Sequence, residues 1–304
     1  MKPAAVLLIA LASAALGAAL GGAYVARRDV GAGSAAPENP AAAAPRATAP
    51  AHDASASPPD YVSIGSERVS FESLRRRAAS DPAFLRGLMQ RYRNQTDPVA
   101  RGELLALLNA VSGDEVLRLA LSLTASTRAE DERDGLALLA AYPMDRAEVR
   151  ETVLAKLGQG GDPQRMGELV AMLTPATMPS EDAAPVIAEL AALARHSDPS
   201  LRAQAVLQLA QWDDGEQTED LLHRAILDPS PDVRAKAIAG VQGSRIRSDR
   251  LKEALLAIAA DPASSAADRG AATFALQQFR LNRAEYGIWR RAQAQADADS
   301  GEGG

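Results

Sequence analysis

The sequence predicts an all-α protein, an α-solenoid of about six stacked helical hairpins, behind an N-terminal segment of different character. An Asp-Pro phrase followed by an arginine recurs in the second half of the chain, and its arginines Arg202, Arg234 and Arg269 lie 32 and 35 residues apart. This period is typical of helical-repeat solenoids. Between residues 81 and 280 no run shows the sustained alternation of apolar and polar residues that indicates β-strands.

The first segment, residues 1–29, is predicted to be a membrane anchor or a signal segment. Residues 4–26 carry no charge, and Lys2 and Arg27-Arg28 flank them. As a helix this run would be about 35 Å long, enough to cross a hydrocarbon core of about 30 Å. A cleaved signal peptide is the alternative, although its apolar region is usually shorter, about 7–15 residues. The spacing Gly17-x-x-x-Gly21 adds the expectation of weak self-association between helices in the bilayer.

Localisation follows from this segment. Lys2 favours a cytoplasmic N-terminus, whereas Arg27-Arg28 favour the opposite orientation. We expect a single-pass protein of a bacterial-type inner membrane with the solenoid in the periplasm; the alternative is a secreted or periplasmic protein after signal cleavage.

Residues 30–60 are rich in alanine and proline and lack apolar periodicity, so we expect a disordered tether. The solenoid is expected over residues 61–295 and a disordered tail over 296–304. Residues 61–69 are predicted to be an extended segment packed on the first helices.

Two alternating sets of helices are predicted in the solenoid. One set starts with the arginine position, which we place at Arg101, Arg133, Arg165, Arg202, Arg234 and Arg269, with the copy at Arg165 displaced by one residue. In its clear copies the apolar residues fall at i, i+4, i+5 and i+8, which forms one stripe of a helix. The other set is Pro82–Arg93, Asp114–Leu123, Arg146–Leu157, Glu181–Arg195, Glu219–Leu227 and Asp249–Ala260.

Capping patterns mark many helix starts and ends. Asp or Ser followed by Pro is typical of an N-cap and first helical residue, as at Asp198-Pro199 and Ser230-Pro231. Reciprocal capping boxes are predicted at Ser112-x-x-Glu115, Thr127-x-x-Glu130 and Asp145-x-x-Glu148. Gly158 and Gly243 are predicted to end their helices in the left-handed conformation.

The phrase Asp-Pro-Ser-Pro-Asp-Val-Arg-Ala-Lys-Ala at 228–237 resembles the inter-helix turn and second-helix start of HEAT and HEAT-like repeats. The resemblance is clear over about 181–242, fair to 280 and weak before 174. It implies a hydrogen-bonded ladder of Asp and Arg between neighbouring repeats. Asp232 and Arg234 match both positions, whereas Ser200 and Ala267 stand at the acidic position before Arg202 and Arg269. The structural repeat positions are Asp198, Arg202, Asp228, Asp232, Arg234 and Arg269.

Composition excludes several classes of function. The chain has no cysteine, so disulfides and cysteine-based metal or catalytic sites are excluded. Its net charge of −6 argues against nucleic-acid binding. An exception is residues 71–95, where six arginines face Glu72 and Asp81; this cluster indicates either a contact with headgroups or an acidic partner, or a solvated face.

No catalytic, cofactor-binding or metal site is predicted. The three histidines, His52, His196 and His223, are scattered and lack metal-ligand spacing. The carboxylates at 130–134 are interpreted as a solvated acidic turn in preference to a calcium site. Tyr286 and Trp289 are expected to cover the end of the solenoid.

The sequence therefore predicts a non-catalytic, membrane-tethered scaffold or adaptor that binds a protein partner through its repeat surface. The alternatives are a small-molecule-binding or lyase-like HEAT protein, or an accessory subunit of an envelope enzyme.

Overall fold

The computed structural model describes residues 61–64 and 67–301, all within one compact unit that spans 57–304. The predicted segments 1–29 and 30–60, with Gly17 and Gly21, lie outside the described residues. In the described part of the chain, no helix combines the length and the apolar character needed to span a membrane.

A short β-hairpin opens this unit. Strand β1 (Tyr61–Ile64) pairs antiparallel with β2 (Glu67–Ser70), with Tyr61 opposite Ser70 and Ile64 opposite Glu67. Val62 is fully buried, and β1 contacts the third helix while β2 contacts the first. The expected extended segment is thus present and packs on the first helices.

Everything that follows in the described chain is helix and short turns. The helices are α1 (Phe71–Ser80), α2 (Pro82–Asn94), α3 (Pro98–Val111), α4 (Asp114–Thr124), α5 (Ala129–Leu139), α6 (Ala147–Gly158), α7 (Pro163–Met172), α8 (Ser180–Leu193), α9 (Pro199–Trp212), α10 (Glu216–Ile226), α11 (Pro231–Gly243), α12 (Asp249–Ala260), α13 (Ala266–Leu276) and α14 (Arg283–Gly301). The all-α class is therefore confirmed. Helix α14 continues past the predicted boundary at 295.

The helices pack as six consecutive hairpins, α2/α3, α4/α5, α6/α7, α8/α9, α10/α11 and α12/α13. The second helices form one layer, in which α1, α3 and α5 are in contact in order and α7, α9, α11 and α13 follow in the same way. The first helices form the other layer, with contacts between α6 and α8 and along α10, α12 and α14. This arrangement matches the six hairpins expected from the sequence.

The core lies between the two layers and is continuous. One cluster of buried side chains runs from Val62 to Leu221 and a second runs from Ala203 to Ala292. They meet on α9, where Leu201 belongs to the first cluster and Val206 to the second. Each hairpin therefore buries its apolar stripes against its neighbours, as expected of a repeat array.

Helix ends follow the sequence in part. The side chains of Asp81, Asp97, Asp162 and Asp198 cap their helices by accepting hydrogen bonds from backbone N–H groups of the first turn. Ser230 gives no such bond; Asp228 instead accepts from the N–H of Ser230 at 2.9 Å.

The three capping boxes are wrong. The N-caps of α4, α5 and α6 are Gly113, Arg128 and Arg146, and none makes a side-chain cap. Each of these helices starts one residue later than a capping box would require. The Ser, Thr or Asp side chain therefore lies one residue too early to accept hydrogen bonds from the unpaired N–H groups of the first turn. The prediction of left-handed glycines at Gly158 and Gly243 is also wrong. Positive φ angles occur instead at Gly160 and Gly161, after the end of α6.

Candidate interaction surface

An arginine at the fourth position of the second helix joins neighbouring hairpins. The Nη1 of Arg202 donates to the carbonyls of His196 and Ser197 at 2.9 and 2.8 Å, in the turn before its own helix. Its Nη2 and Nε donate to the carboxylate of Asp228 at 2.9 and 3.1 Å. The same side chain thus caps its own turn and binds the turn of the next hairpin.

Arg234 repeats this arrangement one hairpin later. It donates to the carbonyls of Asp228 and Pro229, both at 3.0 Å, and to Asp268 at 2.7 Å. Arg269 donates to the carbonyl of Ser264. The fork of the guanidinium suits this double task because its five N–H donors point in fixed directions.

The acidic partners differ from those that the resemblance implied. Asp232 is exposed and makes none of these contacts, whereas Asp228 and Asp268 accept the arginines. Burial raises the pKa of Asp228, but the Arg202 guanidinium and the Ser230 N–H outweigh it and lower that pKa below its ordinary value. Asp198 serves as the N-cap of α9, and its accepted bonds from Ser200 and Leu201 lower its pKa.

Sequence reasoning missed the corresponding network near the start of the solenoid. Arg101 is buried and donates to Asp134 at 2.8 Å, to Asp131 at 2.9 Å and to the Tyr92 hydroxyl at 2.6 Å. Its guanidinium also lies 4.4 Å from the centroid of the Tyr92 ring. Burial raises the pKa of Tyr92, and the hydrogen bond to Asp134 raises it further.

The carboxylates at 130–134 are thus ion-paired, and the interpretation as a solvated acidic turn is wrong. The signal was present in the spacing, because Asp134 follows Arg101 by 33 residues and Asp268 follows Arg234 by 34.

The predicted arginine position in α5 is wrong, whereas Arg165 joins neighbouring hairpins from a position one residue earlier in its helix, in keeping with the displaced copy. Arg133 is exposed, and the fourth residue of α5 is Glu132. Glu132 accepts a hydrogen bond from Lys156 at 2.6 Å and pairs with Arg165. At this junction the carboxylate therefore lies on the earlier hairpin and the cations on the later one, the reverse of the order at Arg202. The Lys156 hydrogen bond lowers the pKa of Glu132, partly offset by burial, and Arg165 lowers it further.

One row of positions along the second-helix layer carries no charge. The ninth residue of each second helix from α3 to α13 is at least partly exposed and uncharged: Ala106, Ala137, Ala171, Leu207, Ala239 and Phe274. We call this set the central row. Phe274 is 58% exposed and is the large aromatic member of a row that otherwise consists of alanines and Leu207. Charges are exposed elsewhere in both layers, as at Arg133 and Glu168 on second helices and at Arg224 on a first helix.

The C-terminal helix covers the last hairpin, as the sequence predicted. Helix α14 packs on α12 and α13, and the indole N–H of Trp289 donates to the carbonyl of Thr273 at 2.9 Å. The rings of Tyr286 and Trp289 stack with centroids 5.5 Å apart.

The positive charge of the arginine cluster at residues 71–95 is partly neutralised. Arg75 pairs with Glu72 at 2.8 Å, and Arg86 lies 3.5 Å from Glu115. Arg91 and Arg93 are exposed, with no ion pair to a described side chain.

Neither described histidine lies in a cluster of metal-binding side chains, and no such cluster occurs within residues 61–64 and 67–301. His196 accepts a hydrogen bond at Nδ1 from the N–H of Asp198 at 3.0 Å. Burial lowers the pKa of His223, and the positive charge of the nearby Arg250 lowers it further. His52 lies outside the described residues.

Comparison with known proteins agrees with this geometry. No curated protein matches the sequence. Residues 187–277, which run from α8 to the end of α13, match the family model of HEAT repeats. The HEAT-like resemblance is therefore confirmed, and the family match places HEAT repeats in this part of the chain.

Proposed function

We propose that this chain is a non-catalytic scaffold or adaptor that binds a protein partner through the outward face of the second-helix layer. The observation that carries the proposal is the central row, which crosses six hairpins without a charge. The cores of protein interfaces are depleted in charged residues and enriched in aromatic ones such as Phe274. HEAT repeats commonly mediate protein–protein interaction.

The geometry of the repeat array supports an extended contact. Side chains at equivalent positions of stacked hairpins line up along the array, so a partner would contact several repeats at once. The arginine contacts fix neighbouring hairpins to each other at the starts of the second helices, through Arg202 to Asp228 and Arg234 to Asp268. A surface held in this way loses little conformational entropy on binding.

We also propose that residues 1–29 hold the solenoid at a bacterial-type inner membrane, on the periplasmic side. The uncharged run at 4–26 supports this, and the Ala/Pro-rich residues 30–60 would act as the tether. A tether raises the local concentration of the binding face near membrane-resident partners without contacting them. Full-length protein should then fractionate with the membrane and resist alkaline carbonate. A mature N-terminus mapped after the apolar run would instead establish a cleaved signal and a secreted or periplasmic protein.

Small-molecule or lyase-like activity is less well supported. A depression at the C-terminal end is lined by Leu276, Gln277, Phe279, Leu281, Tyr286, Trp289 and Gln293. Its lining holds no carboxylate, histidine or lysine that could serve as an acid or base near neutral pH. An accessory subunit of an envelope enzyme would use the same binding face and is a special case of the scaffold.

Site-specific photo-crosslinking in intact cells tests the binding face. A photoreactive amino acid at Leu207 of the full-length protein should yield a crosslinked partner. Ala171→Glu and Ala239→Glu place a charge in the central row on either side of it, and each should reduce the adduct at least tenfold because a charge is buried without a partner.

The matched control is Ala257→Glu, at an exposed position of α12 in the other layer. It should leave the adduct unchanged, and all three variants should keep wild-type helicity and melting temperature. An adduct that persists in both row variants, or substrate turnover by the purified protein alone, would refute the proposed function.

A further inference from the structure

A second surface lies where α13, the loop after it and α14 meet. The depression there has a volume of about 560 Å³, and five of its seven lining residues are leucines or aromatic residues. Tyr286 remains 49% exposed although it stacks on Trp289. Aromatic surface left open in a concave site is a usual location for the apolar anchor of a ligand.

Four exposed arginines lie in the loop and the helix that contribute to this depression. Arg280, Arg283, Arg290 and Arg291 form no ion pair with a carboxylate whose side chain is described. Within residues 280–291 the acidic residue is Glu285, which is already engaged by Lys252 at 3.2 Å and by the N–H of Asn282 at 2.8 Å. Residues 280–291 therefore carry more positive than negative charge.

Helix geometry places two of these arginines beside the aromatic lining. Arg283 precedes Tyr286 by three residues and Arg290 follows it by four, so both are its neighbours on the surface of α14. Arg280 lies in the loop between Phe279 and Leu281, two residues that line the depression. Arg280, Arg283 and Arg290 are therefore neighbours of lining residues along the chain or on the surface of α14.

We propose that this depression binds an acidic peptide segment that presents one aromatic or aliphatic side chain. The apolar side chain enters the depression, and flanking carboxylates bind the arginine rim, whose forks match carboxylate geometry. The amide of Gln277 in the lining can hydrogen-bond a peptide backbone.

A peptide fits this site better than a membrane surface. Membrane-binding faces present apolar side chains that project into the bilayer from a basic surface. Here the rings line a recess between α13, its following loop and α14, and the rim carries the charge. No residue of the central row lines this site, and the proposal does not depend on the proposed function.

Fluorescence anisotropy with purified full-length protein tests the proposal. The probe is a fluorescein-labelled synthetic peptide with glutamates on both sides of one phenylalanine. Binding should weaken as salt is raised, because exposed charges are screened. Peptides with glutamine for glutamate, or with alanine for phenylalanine, should each bind about tenfold more weakly, which corresponds to about 1.4 kcal/mol.

Variants of the protein should reproduce both losses. Arg290→Glu should weaken binding about tenfold or more, because it removes an attraction and adds a repulsion. Tyr286→Ala should weaken it about tenfold by removing an aromatic contact. The matched control is Arg91→Glu, which reverses an exposed arginine of α2 at the other end of the array and should leave the affinity unchanged.

Three outcomes would overturn the proposal. The first is no saturable binding of the peptide by the wild-type protein. The second is an equal loss of affinity in the Arg91→Glu control, which would show that the acidic peptide is attracted by the overall positive charge of the protein and not by this site. The third is binding of phosphatidylglycerol vesicles that depends on Arg290 while the peptide does not bind, which would assign the site to a lipid surface.

Discussion

Replacement of Arg101 by methionine should destabilise the first part of the solenoid strongly. The Arg101 side chain is 8% exposed and holds Asp131 and Asp134, which are 16% and 15% exposed. Methionine keeps most of the apolar volume but removes the cation. Two carboxylates would then face each other in a site with little access to water.

The expected cost follows from what each carboxylate retains. Removing one partner of a buried ion pair costs about 3–5 kcal/mol. Asp131 would keep its hydrogen bond from Ser126 at 3.1 Å, and Asp134 would keep the Tyr92 hydroxyl. We therefore expect a loss of about 2–4 kcal/mol in the free energy of unfolding, or about 5–15 °C in Tm.

Urea unfolding followed by far-UV circular dichroism measures this loss. The control is Arg118→Met, the same substitution at an exposed position of α4, which should stay within about 0.5 kcal/mol of wild type. Adding Asp131→Asn and Asp134→Asn to Arg101→Met should recover part of the stability, because the unpaired charges are then gone. An Arg101→Met variant as stable as the Arg118→Met control would refute the reasoning.

Three further predictions concern packing and pH. Ile238→Ala should cost about 2–5 kcal/mol because Ile238 is fully buried; an unchanged thermal midpoint would contradict this. Gly135→Ala should destabilise the fold by about 1–3 kcal/mol because a Cβ there would lie 2.5 Å from the backbone nitrogen of Thr124. The control Gly167→Ala, with open space around it, should be neutral or stabilising by up to about 1 kcal/mol. Because the folded state lowers the pKa of Glu132 below its ordinary value of 4.5, its stabilisation is present above that pH and is lost as the pH falls. Glu132→Gln should therefore be destabilised near pH 7, and its difference from wild type in urea titrations should shrink in acid; a constant difference would contradict the pairing.

The repeat architecture could be predicted from the sequence because it depends on local signals. The apolar spacing around Arg202 and Arg234 puts Leu201, Ala205, Val233 and Ile238 on buried stripes, and all four are fully buried or nearly so. Asp-Pro pairs located helix starts because an N-cap acts within one turn of its own residue. The capping boxes failed for the same reason, since a shift of one residue in the helix start removes the cap.

The candidate surfaces could be predicted only in outline. The sequence indicated that Tyr286 and Trp289 cover the last hairpin, but not that the rings would leave a recess bordered by arginines. The central row could not be identified either, because which side of each helix faces outward depends on how hairpins stack.

By itself, the sequence determined that helices form, where most of them begin, and that they pair into six hairpins. These features depend on residues within one or two helical turns of each other. Only the tertiary structure decided which charges pair, because the partners lie about 30 residues apart and meet through stacking: Arg202 binds Asp228 and not Asp232, and Glu132 takes the position expected of Arg133. It also decided how closely helices approach, as at Gly240, where a Cβ would lie 3.0 Å from Ala210. Stacking of the hairpins brings side chains that are distant in the sequence into contact, and a pattern confined to one or two helical turns does not specify which of them meet.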